Sequence, residues 1–76
     1  MIEIRIPDHI WDGEPEGTLV TWLYESGDRV PVDAVIAQLM VEKAQLDLVT
    51  PAAGVLRIEV PPESVVRRGQ VVGFIL

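Results

Sequence analysis

Cysteine is absent from this chain, and lysine occurs once. Without cysteine there is no disulfide framework, no thiolate metal site and no thiol nucleophile, and a reducing compartment is favoured. Only four residues are aromatic. No apolar run approaches the roughly 18 residues a membrane span needs. The N-terminus, "MIEIRIPDHI", alternates charge with isoleucine and lacks the apolar block of a signal peptide. A soluble cytoplasmic protein with no membrane partner is expected. The single histidine, His9, has no acid–base or metal constellation around it in sequence, so a loop position fits it better than catalysis. Basic charge is scarce too. The formal net charge is −6, and the acids are spread along the chain. Nucleic acid is excluded as a partner, because a polyanion needs a basic patch. Arg67 and Arg68, the one adjacent basic pair, read as turn decoration. The many acids also allow a hydrolytic carboxylate pair to be imagined, but nothing supplies a pocket for one.

What is present is strand-forming sequence. The 76 residues suffice for one small domain, 1–76, and 49% of them are hydrophobic. Such a domain buries only about 60% of the surface its unfolded chain exposes, so each apolar position matters. Ile2, Ile4 and Ile6 alternate with Glu3 and Arg5 until Pro7 stops the strand. "DHIWDGEPE" (8–16) is an acidic loop. "GTLVTWL" (17–23), "VIAQLMV" (35–41), "AQLDLV" (44–49), "VLRIEV" (55–60) and "VVGFIL" (71–76) read as further strands, separated by "ESGD", "TPAAG" and "PPES". No segment carries a helical period. The expected class is all-β, a sandwich or barrel.

An internal repeat supports this. The stretch from Gly17 aligns with the stretch from Gly54: Leu19 meets Leu56, Leu23 meets Val60 and, after a one-residue gap, Val35 and Ile36 meet Val71 and Val72. Two halves of about 23 residues are too few for a solenoid, but packed face to face each would cover the other. Lys43 falls between the strands 35–41 and 44–49, at or near a hairpin tip. Its neighbour Glu42 lacks the Asn-Gly signature of favoured hairpin turns, whereas a type I turn accepts most residues. Read from the residues alone, Lys43 is a solvated strand-end lysine or the one amine the domain presents. Trp22 should pack half-exposed on its strand. Trp11, in an acidic loop, is either an interface anchor or loop packing, and Asp12, Glu14 and Glu16 are a solvated face able to steer a basic partner.

The segment "VEKAQLDLVTPAAGVL" resembles the modification hairpin and following strand of lipoyl domains, the swinging-arm modules of 2-oxo acid dehydrogenase complexes. Glu42-Lys43-Ala44 stands where that family usually has Asp-Lys-Ala, and Pro51-Ala52-Ala53-Gly54 where it has Pro-x-x-Gly. Gly27, sixteen residues before Lys43, and Gly54, eleven after, match the family's flanking glycines. The likeness runs from "IEIRIPD" to "GQVVGFIL".

The resemblance implies a flattened barrel of two four-stranded antiparallel sheets with quasi-twofold symmetry. It implies lipoate amide-linked to Lys43 by a lipoate-attaching enzyme. It also implies acyl transfer among a thiamine-diphosphate-dependent 2-oxo acid dehydrogenase, an acyltransferase catalytic domain and a dihydrolipoyl dehydrogenase flavoprotein. The domain itself would be a monomeric carrier without an active site, excised or stand-alone. Glu42, Ala44, Met40, Gly27 and Gly54 become candidates for recognition by the attaching enzyme. The loop residues Trp11, Asp12, Glu14 and Glu16 become candidates for recognition by the dehydrogenase. Met40 departs from the Glu the family commonly has three residues before its lysine, and the first loop is one residue longer than the common pattern. Three rivals stand beside this reading. A biotin carrier would have Met-Lys-Met at the site, a glycine-cleavage carrier would be longer, and an unmodified barrel would be an adaptor.

Overall fold

Alternating apolar and polar residues leave each strand one dry face, and two sheets bring those faces together. In the computed structural model, which describes residues 1–76, there are eight strands and no helix. They are β1 (Ile2–Arg5), β2 (Glu16–Trp22), β3 (Arg29–Val30), β4 (Val35–Val41), β5 (Ala44–Val49), β6 (Gly54–Ile58), β7 (Ser64–Arg67) and β8 (Val71–Ile75). One sheet has the order β1-β8-β6-β3 and the other β5-β4-β2-β7, and every pairing is antiparallel. The result is flattened, 32 × 20 × 17 Å.

Advancing every strand number by four converts one sheet order into the other, which is the signature of a quasi-twofold axis. The repeat seen in sequence is this axis. Leu19 and Leu56 are both sealed in the core, as are Ile36 and Val72. The symmetry reaches the backbone as well. Gly27 (φ 98°) and Glu63 (φ 62°) lie thirty-six positions apart, and so do Asp33 (φ 64°) and Gly69 (φ 82°). Each pair holds the same left-handed turn, so the one-residue gap lies between Leu23 and Gly27.

Two strands escape the alternation pattern. β3 has two residues, too short to display a period, and in the four-residue β7 the adjacent Val65 and Val66 break the alternation. β7 exists because Glu16–Leu19 offers it a partner edge. The core joins Ile4, Ile6, Leu19, Val30, Ile36, Leu39, Leu48, Leu56, Val66, Val72 and Ile75 from both sheets. Ile2 shares the phase of Ile4 and Ile6 but lies at the sheet's end, half exposed. Trp22 is half-buried as expected, its Nε1–H donating to the Val60 carbonyl at 2.8 Å.

Candidate functional site: the Lys43 hairpin

Strands β4 and β5 pair without interruption from Ala37↔Leu48 to Val41↔Ala44, leaving Glu42 and Lys43 as the whole of the loop. A two-residue loop must match the right-handed twist of its strands, and the turns that do so need positive φ at the first central residue. Glu42 supplies it, at φ 54°. The type I turn that these residue types would also allow is not the one formed: a non-glycine residue takes the left-handed conformation. Holding it costs about 1–2 kcal/mol, which the six paired positions of β4 and β5 offset.

Lys43 is exposed, as are its neighbours Glu42 and Ala44. The molecule's three ion pairs, Arg5–Glu3, Arg57–Glu59 and Arg67–Glu16, all leave it out, and no side-chain hydrogen bond ties it down. The tip beneath is rigid. Val41 is 7% exposed, and the backbone of Gly17 on β2 runs so close that a Cβ there would lie 2.8 Å from Val41 Cγ2 and 3.2 Å from the Met40 carbonyl. An accessible amine on a fixed hairpin is an arrangement suited to covalent modification by another enzyme.

The β1–β2 loop lies against this tip. The Glu14 carboxyl is held above its ordinary value of 4.5, first by a hydrogen bond shared with the Glu42 carboxyl, then by Glu42's negative charge and lastly by slight desolvation. Glu14 and Glu42 are therefore neighbours, and Glu42 is the residue before Lys43. The loop is anchored from beneath by Trp11. Its ring is 7% exposed, its Cη2 lies 3.2 Å from where a Cβ on Gly17 would stand, and its Nε1–H donates to the Glu14 carbonyl at 2.6 Å. An exposed interface anchor is thus not what the structure contains; the indole is spent on shaping the loop. Asp12, Glu14 and Glu16 remain exposed, and Glu16 is paired with Arg67 at 3.0 Å.

Met40 lies on the outer face of its sheet, in a cross-strand row of Gln45, Met40, Thr18 and Val65. Its side chain is 36% exposed, so the core does not dictate this residue. Gly27 and Gly54 have local backbone reasons. Gly27 needs φ 98° in the β2–β3 turn, where its N–H donates to the Leu56 carbonyl. Gly54 combines φ 154° with a close pass: a Cβ would lie 2.7 Å from the Leu76 carbonyl and 2.5 Å from Ile75 Cγ2. Gly54 therefore lies beside the C-terminus, and its quasi-symmetric counterpart at the lysine hairpin is Gly17. No motif in the sequence marks Gly17 as a site residue. Its alignment with Gly54 in the repeat was the available signal.

Comparison with known proteins agrees with this geometry. The family model described as "Biotin-requiring enzyme", the biotin–lipoyl family, matches residues 2–75. The succinyltransferase component of a mitochondrial 2-oxoglutarate dehydrogenase complex of Arabidopsis thaliana is 38% identical over 55 residues, 72% of this chain. The lipoamide acyltransferase component of a branched-chain alpha-keto acid dehydrogenase complex of Pseudomonas aeruginosa is 41% identical over 51 residues, 67% of this chain. The chain spans only 12% of the length of each. The solution structure of the lipoyl domain of the 2-oxoglutarate dehydrogenase complex from Azotobacter vinelandii superposes with a TM-score of 0.78 at 25% identity, covering 100% of this chain and 96% of that one. A family match over residues 2–75 leaves no strand outside it, and the chain belongs to the biotin–lipoyl domain family.

Proposed function

We propose that this domain is a lipoyl carrier of a 2-oxo acid dehydrogenase complex, with lipoate joined through an amide to Nζ of Lys43. The observation that carries the reading is an exposed lysine, free of ion pairs, on a two-residue hairpin tip in a chain whose curated relatives are acyltransferase components. Bound there, lipoate supplies a dithiolane that carries acyl groups and electrons. Amide formation removes the lysine charge and takes the formal net charge from −6 to −7.

The residues of this chain present and aim the arm. The β4–β5 ladder fixes where Nζ starts, and tethering keeps the carried group at high local concentration for successive partners. In this reading Glu42 and Ala44 form the surface by which a lipoate-attaching enzyme reads Lys43, and Met40 is the weak point of that surface. Asp12, Glu14 and Glu16 face the thiamine-diphosphate-dependent dehydrogenase, with Trp11 supporting them from below. Gly27 and Gly54 act at a distance by holding the turns of the frame. An acyltransferase catalytic domain and a dihydrolipoyl dehydrogenase are the remaining partners, in the cytoplasm.

Intact mass spectrometry with peptide mapping tests this. Co-expression with a lipoate ligase and lipoate should add one lipoyl increment at Lys43, absent from Lys43→Arg. A biotin increment would instead make the domain a biotin carrier. No increment, beside full modification of a known lipoyl domain, would leave an adaptor.

A further inference from the structure

Half of the molecule's basic residues gather at one turn. Arg67 ends β7, Arg68 follows it, and Arg5 of β1 donates from Nη1 to the Gly69 carbonyl at 2.8 Å. The molecule's one cleft opens here, about 410 Å³, lined by Asp8, Pro15, Arg67 and Arg68. That is room for a carboxylate or phosphate group together with several waters. The three arginines are not equivalent. Arg5 is paired with Glu3 and Arg67 with Glu16. Arg68 has no carboxylate within ion-pair distance. Its single hydrogen bond, from Nη1 to the Trp11 carbonyl at 3.2 Å, uses one of five donors and orients the guanidinium against the loop.

Arg68 is therefore a half-buried, oriented fork without an anion. Asp8 lines the same cleft, its carboxylate oxygen 3.0 Å from where a Cβ on Gly69 would stand, and forms no ion pair with either arginine. With Glu3, Asp8 and Glu16 against Arg5, Arg67 and Arg68, this patch is neutral, so the net charge of −6 lies on the rest of the surface. An anion is not drawn to the patch from afar, but at contact it meets a fork shaped for two parallel hydrogen bonds.

We propose that the Arg67–Arg68 cleft is an oxyanion-binding subsite, with Arg68 as the bidentate donor to a carboxylate or phosphate and Arg67 and Arg5 as supporting charges. Pro15 lies between Glu16, the partner of Arg67, and Glu14, the neighbour of Glu42, so the β1–β2 loop borders both the cleft and the lysine hairpin. A protein that approaches Lys43 and carries an acidic side chain can lodge it here. The otherwise acidic surface would match basic residues around that side chain, and the single inverted contact fixes register. The cleft does not depend on what Lys43 carries.

Two-dimensional NMR titration of the intact domain tests this with three probes: glutarate, inorganic phosphate, and a short peptide with blocked ends whose one charged side chain is a glutamate. Sodium chloride at matched ionic strength is the control. Saturable shifts are expected at the amides of Asp8, Glu16, Arg67, Arg68 and Gly69 and at Arg68 Nε, with affinity about tenfold weaker in Arg68→Gln. Arg68→Lys should keep the charge and lose most of the affinity. Tighter binding of the peptide than of glutarate would identify a partner's side chain as the source, and the reverse a free anion. Should Arg68→Gln lose its folded spectrum, Arg67→Gln and Arg68→Lys carry the comparison. Linear shifts that sodium chloride reproduces, in native protein and variants alike, would overturn the proposal.

Discussion

At Glu42 the backbone turns through φ 54°, a conformation that glycine adopts without penalty, while the carboxyl of the same residue stands against Glu14. These two effects separate by substitution. Glu42→Gln removes the repulsion and keeps the strain; Glu42→Gly removes both. Urea unfolding at pH 7 should find both variants more stable than the native protein, with the glycine variant ahead by up to about 1 kcal/mol, since its greater freedom when unfolded offsets part of the relief. The pH dependence has a definite sign. A carboxyl whose value is raised by folding favours the folded state most below its unfolded value and loses that advantage as pH rises through the folded one. The advantage of Glu42→Gln should therefore be full at pH 7 and fade as pH falls toward 4.5. An advantage that does not change with pH would remove the carboxyl pair from the account. Met40 is simpler. It is exposed on the sheet's outer face, so Met40→Glu should leave the melting temperature within a few degrees and raise the extent of lipoylation measured by mass.

Among the elements, the β1–β2 loop depends most on a single side chain. Trp11 joins the core from a segment without regular structure, covering Gly17 and receiving Arg68 at its carbonyl. Trp11→Ala should cost about 3 kcal/mol or more. Trp11→Phe, which keeps most of the volume but loses the Nε1–H bond to Glu14, should cost about 1 kcal/mol for that bond. Equilibrium unfolding measures both. Backbone order parameters for 8–16 should fall in the alanine variant while β4 and β5 stay rigid. A loop equally ordered without the indole would mean that other contacts hold it. Composition leaves a tryptophan amid Asp and Glu open between interface anchor and loop packing, and the structure selects the packing. Whether a loop side chain turns inward depends on a gap left elsewhere, in this case above Gly17.

For the whole molecule, the quasi-twofold axis makes the lysine hairpin and the chain termini equivalent. Ile2 pairs with Ile75, as Leu46 pairs with Leu39 at the other site, so the termini occupy the place of a missing hairpin. Joining Leu76 to Met1 through Asn-Gly and opening the chain between Glu42 and Lys43 should preserve the fold, with stability within about 1–2 kcal/mol. It should also abolish lipoylation, because Lys43 becomes a frayed end. Circular dichroism and intact mass read the two outcomes separately. Full modification of the permutant would mean that the attaching enzyme needs only the local residues and not the closed turn.

Much of this was set by the order of residues alone. Alternation marked six of the eight strands because the two-residue period of a strand is a local property, and the repeat from Gly17 and Gly54 announced the axis because equivalent positions bury equivalent side chains. The isolation of Lys43 is visible without any coordinates. Tertiary structure decided the rest. β3 and β7 are strands only because a neighbour's edge receives them. Trp11 is buried because the loop closes over Gly17, and Glu14 meets Glu42 across twenty-seven intervening residues because that loop folds toward the hairpin. Arg5, Arg67 and Arg68 come together because β1 and β8 pair. Each of these contacts joins segments distant in sequence, and no local period records which distant segment a side chain will meet.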